Sequence, residues 1–524
     1  MTTPINRAFM RLARRAERQD REALVRTFVE AGPLFTLLSR PDHQILFGRR
    51  GTGKTHALAF LEQETRRSST FVCYVDLRLI GSNQSIYSDD SLSVADRATR
   101  LILDVLAAIR DVLVSTALEA EDIDDRVLTR LDQLAAAITE VVVLGEVEVE
   151  TEGRVSTQRT EESAVSASLE GASASFGRRG ASSEELRGRV HRRGAEKARI
   201  NFGAVGGTLG RVVESLPNES LWILLDEWSV VPLSLQPILA DLLRRAVFPL
   251  GGVVVKIAAI EQRSNFRVPS VEGGYVGIEL GADAAADANL DDFMVFGNDS
   301  NKAFEFFRDL LHKHVLGLLE EGGEDGSIAA PGRFVQNAFT QANVLVELVR
   351  AAEGVPRDAI NIASGAAQRA DDGQISMANV RDAARTWFER DKESPIPARA
   401  KALLHWIIDK VIGERRARAF LLEQGKAAAH PLVAELFDLR VLHVLRRGVS
   451  ARDTPGVRYD VYGIDYGAYV QLTNTAQAPN KLFIGQVESH VDEPVEVPID
   501  DYRSIRRAIL DLDDFDKAHP AEAP

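Results

Sequence analysis

Three glycines, a lysine and a threonine stand close together in Gly48-Arg49-Arg50-Gly51-Thr52-Gly53-Lys54-Thr55-His56. The pattern G-x-x-x-x-G-K-T lets backbone N–H groups turn inward around a phosphate. Lys54 would bring a positive charge to the β- and γ-phosphates, and Thr55 a hydroxyl to Mg²⁺. The helix opening there would point its positive end at the anion. The loop as a whole, Gly48 through His56, is the candidate nucleotide cradle.

An acidic feature could share that work. Asp226 and Glu227 end the apolar run "LWILL". Such a run meets solvent only at its tip, so two carboxylates there are placed. Asp226 would hold Mg²⁺, largely through water, and Glu227 would polarise an attacking water, because phosphoryl transfer depends on positioning and charge stabilisation. Glu261 and Gln262 follow the next apolar run, and Gln262 is the better partner for a γ-phosphate, since a second carboxylate would be repelled. Arg263 and Arg267 lie just beyond. Either could reach a neighbouring subunit's site, or be an ordinary surface arginine. Arg357 stands in the first turn of a helix opened by Pro356, where the dipole does not favour a cation. Reaching a γ-phosphate from a lid would explain it.

These residues need elements to hold them. Residues 43–48 read as a strand, 55–67 as a helix, and Phe71 to Leu77 as a buried strand, which makes a first βα unit. Helices are expected over 92–119 and 125–138. The texture then changes to period-two alternation in "VVVLGEVEVETEG" and "SAVSASLEGASASFG", read as strands of a hairpin. The block from Arg178 to Arg199 follows, with eight basic against three acidic residues, 8 − 3 = +5. The sheet resumes at 221–228, with a helix over 235–248, a strand near 252–262 and a fifth strand at 275–280. Helices are expected over 301–319, 335–352, 357–369 and 377–390. Pro395 and Pro397 mark a linker. A helix over 398–424, a short helix, and strands near 440–446 and 458–462 suggest a winged helix. Residues 397–480 carry twelve Lys and Arg against eight Asp and Glu, 12 − 8 = +4.

Composition narrows the classes. The chain has 524 residues, 45% of them hydrophobic, a formal charge of −14 and a pI near 5.4. That length allows about two to four domains. Acidity argues against a surface basic all over but leaves room for a local patch that holds a phosphate backbone. The single cysteine, Cys73, rules out an intramolecular disulfide and a thiolate zinc cage, and fits a cytoplasmic setting. No apolar run is long enough to span a membrane. The arginine-rich N-terminus contains Glu17, Asp20 and Glu22, unlike a transit peptide, and reads as a solvated helix with one apolar stripe.

Taken in order, the glycine loop, Asp226-Glu227, Gln262 and the "EGVPRDAINIA" helix resemble an AAA+ ATPase, most closely the origin-recognition and initiator clade. The STAND signalling ATPases share much of the plan. The resemblance covers about residues 30–480, without the insertion. It implies a five-stranded parallel sheet of the P-loop α/β class, a helical lid and a C-terminal winged helix, with ATP and Mg²⁺ between sheet and lid. Lys54 and Thr55 then match Walker A, Asp226 and Glu227 Walker B, Gln262 sensor 1 and Arg357 sensor 2. The expected units are 1–40 as a basic N-terminal helix, 41–285 as core with an insertion at about 120–215, 286–393 as lid, 394–480 as winged helix and 481–524 as an acidic tail. Sensor 1 is often Asn in such proteins, and the insertion exceeds what the core needs.

The use of the ATP stays open at this point. One reading is a homo-oligomeric, nucleotide-dependent switch on duplex DNA. Another is a signalling or antiviral-defence ATPase that gates a separate effector protein. A third is a scaffold that binds ATP with little turnover. Arg446, Arg447, Arg452 and Arg458 in the expected hairpin suit a phosphate backbone, while Asp453, Asp460 and Asp465 weaken that field. Few aromatic residues interleave with them, which disfavours stacking on single strands.

Overall fold

The computed structural model describes residues 2–12, 20–80, 87, 89, 91–119, 125–138, 141–150, 189–198, 200–270, 273–291, 300–323, 328, 330–415, 417–450, 456–470 and 509–520. Strands β1 (Gln44–Phe47), β2 (Phe71–Asp76), β5 (Leu221–Asp226), β6 (Val253–Ala259) and β9 (Ala285–Asn289) form one parallel sheet, ordered β2-β5-β6-β1-β9. β3 (Val141–Glu150) and β4 (Arg189–Ala198) pair as a separate antiparallel ribbon. β7 (Arg267–Pro269) and β8 (Tyr275–Gly277) make another small pair.

Alternate residues of the central strands serve opposite faces of the sheet, as the strand period of two requires. Ile45, Cys73, Ile223, Leu225, Val255 and Ile257 join one core, while Leu46, Val72, Leu224, Val254 and Ala258 join another. Both faces are therefore covered, which explains why β5 reads as an apolar run up to Asp226 and β6 as one broken only by the buried Lys256. Helix α1 (Pro4–Arg11) precedes the sheet, as do α2 (Arg21–Arg26) and α3 (Leu34–Leu38). The loop helix α4 (Lys54–Arg67) packs with α3 on one face. On the other lie α5 (Val94–Glu119), α6 (Asp125–Ile138), α7 (Phe202–Val213) and α8 (Gln236–Leu242), the last running into a π-helical turn at Leu243–Val247.

Helices α9 (Ser300–Glu321), α10 (Pro331–Ala338), α11 (Ala342–Ala352), α12 (Pro356–Ala370) and α13 (Met377–Trp387) follow. A C-terminal unit runs α14 (Ala398–Ile408), β10 (Ala419–Glu423), α15 (Gln424–Ala429), α16 (Pro431–Asp438), β11 (Leu442–Ser450) and β12 (Arg458–Ile464), its three strands antiparallel in the order β10-β12-β11. Helical residues of both units, with Phe9 and Leu12 from the N-terminus, share one hydrophobic core.

Several expectations shift. The fifth sheet strand is Ala285–Asn289, not 275–280, where Tyr275–Gly277 instead pairs with β7. "AADAN" carries little β-propensity, and only its place beside β1 makes it a strand. The ribbon partner of Val141–Glu150 is the basic segment 189–198; "SAVSASLEGASASFG" lies outside the described residues. The helix expected over 398–424 stops early, and Ala419–Glu423 is a strand. The helix expected over 335–352 breaks between Ala338 and Ala342. At the N-terminus, Ala8 and Phe9 are buried in the core shared with α9 and α12, and Asn6 Nδ2 donates to the carbonyls of Asp371 and Gly373 at 2.9 and 2.8 Å. That helix is anchored rather than solvated.

Candidate nucleotide site

The glycine loop joins β1 to α4. Gly51 and Gly53 sit at φ +87° and +98°, values that a side chain resists. At Gly51 the demand is double, since a Cβ there would stand 2.7 Å from the Arg357 Cβ. The backbone N–H of Arg357 donates to the Gly51 carbonyl at 3.1 Å. The first turn of α12 therefore rests directly on the loop. Thr52 is buried and its hydroxyl donates to the Arg49 carbonyl at 2.9 Å. Lys54 is buried too, its Nζ donating to the carbonyls of Gly48 at 2.7 Å and Arg49 at 3.0 Å. Burial pushes the Lys54 ammonium below its ordinary value. Glu227, Asp226 and Asp291 pull it back up, and Arg357 pushes it down. Three carboxylates and a second cation thus act on one lysine.

Asp226 ends β5 with no exposed surface. Tyr74 of β2 donates its hydroxyl to Asp226 Oδ2 at 2.6 Å, and the Glu227 N–H donates to Oδ1 at 2.8 Å. Burial, then the Asp226 charge, raises the Tyr74 hydroxyl far above its usual range, so it stays a donor. The guanidinium of Arg21 covers the Tyr74 ring at 4.3 Å and pairs with Glu62 of α4. Glu227 adopts a left-handed backbone, φ 58°, a strained conformation of the kind that gathers at functional sites. Burial and the neighbouring Asp226 raise its carboxyl, while Lys54 and Arg78 oppose the rise. Arg78, on the turn after β2, approaches Glu227 Oε1 at 3.8 Å and holds Asp76 at 2.6 Å.

The remaining expected residues are placed as follows. Gln262 lies in the turn after β6, and its Oε1 is buried with no hydrogen-bond partner among the described residues. Arg263 pairs with Asp438 of α16. Arg267 pairs with Glu279 at 2.5 Å. Arg50 is exposed. His56 bonds the Leu24 carbonyl and packs edge-on against Phe28, so its ring serves the N-terminal segment. Trp228 is fully buried and stacks on Phe266 at 5.1 Å, a packing role. Cys73 is buried and inert, its thiol raised by burial.

Four residues went unread in the sequence: Tyr74, Arg78, Arg49 as a structural group, and Asp291. Asp291 takes the Arg49 backbone N–H at 2.9 Å and its Nε at 2.6 Å. A correct fifth strand would have pointed to Asp291, two residues past its end. Nothing in the local pattern of "FVCYVD" marks Tyr74.

Among the described residues no group of three or more His, Cys, Asp or Glu could hold a metal unaided. The donor set present is one hydroxyl at a helix start and acids at a strand tip. That fits Mg²⁺ completed by phosphate oxygens and water, rather than an all-protein cage. No described helix is long and apolar enough to cross a membrane.

The family model "ORC-CDC6-like" matches residues 12–71. Solved structures with similar features include the Aeropyrum pernix ORC1 protein in complex with DNA, at 15% identity, covering 87% of this chain and 97% of that one, TM-score 0.33. Another is Cdc6p from Pyrobaculum aerophilum, at 12% identity, covering 89% and 97%, TM-score 0.29. No curated protein matches. The strand order β2-β5-β6-β1-β9, the glycine loop after β1 and the family match together make the chain similar to AAA+ P-loop ATPases of the origin-recognition kind.

Proposed function

We propose that the chain binds ATP with Mg²⁺ between the parallel sheet and the lid, hydrolyses it, and works as a nucleotide-dependent switch. The observation that carries this reading is the convergence of Lys54, Asp226, Glu227 and Arg357 on the glycine loop. Lys54 is held on loop carbonyls that it can leave for phosphate oxygens. Thr55 and Asp226 would hold Mg²⁺, whose part is to neutralise phosphate charge. Glu227, with its raised carboxyl, would orient water, and Arg78 restrains it. Gln262 brings an unsatisfied amide oxygen, and Arg357 carries the lid's charge to the loop. The helix–strand–helix–helix–hairpin order of 398–464 supports reading this unit as a winged helix.

Duplex DNA is the proposed partner of that unit, and a homo-oligomer the proposed assembly. One observation favours the second reading, a signalling ATPase that gates a separate effector. Arg447 on the hairpin pairs with Glu261 at 2.7 Å, and Arg263 with Asp438. Arg447 is thereby engaged with the core, while Arg446 and Arg458 stay exposed.

The test is ATP turnover with and without duplex DNA, for the wild type and Glu227→Gln. The proposal expects turnover by the wild type, its loss in the variant with ATP binding kept, and DNA binding that needs ATP and falls steeply with salt. Equal turnover by both proteins contradicts the assigned chemistry. Turnover without salt-sensitive DNA binding selects the effector reading.

A further inference from the structure

The phosphate loop contains an arginine that the cradle does not need. Arg49 is 1% exposed, and its guanidinium is enclosed on every side. Nε donates to Asp291 Oδ1 at 2.6 Å, Nη1 to His443 Nδ1 at 2.5 Å, and Nη2 to the Glu353 carbonyl at 3.4 Å, with the Phe437 ring at 5.2 Å. Three of its five N–H donors are engaged, and burial turns the guanidinium away from solvent and toward the C-terminal unit. Its backbone does the visible work. The Arg49 carbonyl accepts the Thr52 hydroxyl and Lys54 Nζ. Whatever fixes Arg49 therefore fixes the atoms on which Thr52 and Lys54 rest.

We propose that His443, on β11 of the C-terminal unit, is a positioning residue for the phosphate loop and acts through Arg49. The reach is 394 residues in sequence. His443 has no exposed surface, and its Nε2 donates to Asp465 Oδ2 at 3.0 Å. That bond leaves Nδ1 without a proton and ready to accept from Arg49. Burial lowers the imidazole to about 4, consistent with a neutral ring. Asp465 also takes Lys392 Nζ at 2.5 Å, and Lys392 reaches Asp358 at 2.8 Å, the residue after Arg357 on the lid helix. Loop, C-terminal unit and lid thus meet in one buried chain of charges. A loop held in shape before the nucleotide arrives binds it more tightly, because less ordering remains to be done. The inference rests on the ATP reading for its ligand, and adds that nucleotide affinity depends on the C-terminal unit being docked.

The experiment measures binding of a fluorescent ATP analogue to the full chain, alongside hydrogen exchange of the nucleotide-free protein. His443→Phe removes both ring nitrogens. His443→Gln keeps an N–H for Asp465 but moves its acceptor, the amide oxygen, off the Nδ1 position. Both should weaken binding about ten-fold and speed exchange of the amides of residues 51–54. In an Arg49→Leu background the same changes should do nothing further, since the route is already cut. Loop exchange as slow as wild type in both variants overturns the proposal, with or without a ligand. So does an undiminished effect of His443→Phe in the Arg49→Leu background. Failure of the wild type itself to bind the analogue, with Lys54→Ala no worse, counts against the ATP reading alone and leaves the exchange result to decide the positioning role.

Discussion

Tyr74→Phe isolates a single hydrogen bond at the centre of the site. The ring and its packing under Arg21 survive the change, so no cavity forms. What disappears is the O–H that Asp226 Oδ2 accepts at 2.6 Å. Asp226 is wholly buried, and its other oxygen is already bonded to the Glu227 N–H. A hydrogen bond to a charged group contributes about 1.5–3 kcal/mol, and leaving a buried acceptor short of a donor is costly. A loss of about 2 kcal/mol lowers protection about thirty-fold, at 1.4 kcal/mol per tenfold. The assay is native-state hydrogen exchange of the β5 amides, Leu221 to Leu225, which report opening of the core. Asp226→Asn provides the control. With the charge gone, the same Tyr74→Phe change should cost under about 1 kcal/mol. A variant with wild-type protection, or an equal cost in both backgrounds, would refute the idea that Tyr74 serves the Asp226 carboxylate.

Gly51→Ala should cost about 2 kcal/mol from its positive φ alone, and more from the 2.7 Å approach to the Arg357 Cβ. Adding Arg357→Ala should not relieve it, because that Cβ remains; a thermal midpoint within a degree of wild type would contradict the packing of α12 on the loop. Glu353, fully buried, has its carboxyl raised to about 7 by desolvation, against the pull of Arg418. A raised acid stabilises the fold below its unfolded value and loses that contribution as pH climbs through about 7. Unfolding measured from pH 5 to 8 should therefore show falling stability, by at most about 3 kcal/mol from this group, and Glu353→Gln should flatten the slope. An unchanged slope in the variant would remove Glu353 as its source.

The parts of the site legible in the sequence were those whose chemistry is local. The glycine loop states its own turn, and Asp226-Glu227 stands out because five apolar residues precede it. β5 and β6 were readable because both of their faces are covered, leaving apolar runs no loop would carry. The fifth strand was not readable, since "AADAN" pairs only because β1 offers it an edge. Asp291 was lost with it. Tyr74 and His443 were hidden for a different reason: each looks like an ordinary strand residue, and its role exists only once distant segments pack. Arg49 was assigned to the nucleotide because its neighbours in sequence are, whereas its partners in space come from the C-terminal unit. Arg263 and Arg267 were read as candidates for a neighbouring subunit; within this chain they pair with Asp438 and Glu279.

Binding of ATP in the presence and absence of Mg²⁺, compared across wild type, Lys54→Ala and Asp226→Asn, bears most directly on the nucleotide site. The wild type should bind with an affinity that Mg²⁺ improves. Lys54→Ala should lose binding under both conditions, and Asp226→Asn should lose only the improvement due to Mg²⁺. Identical, Mg²⁺-insensitive binding by all three proteins would mean that the glycine loop and the strand-tip acids do not share a ligand.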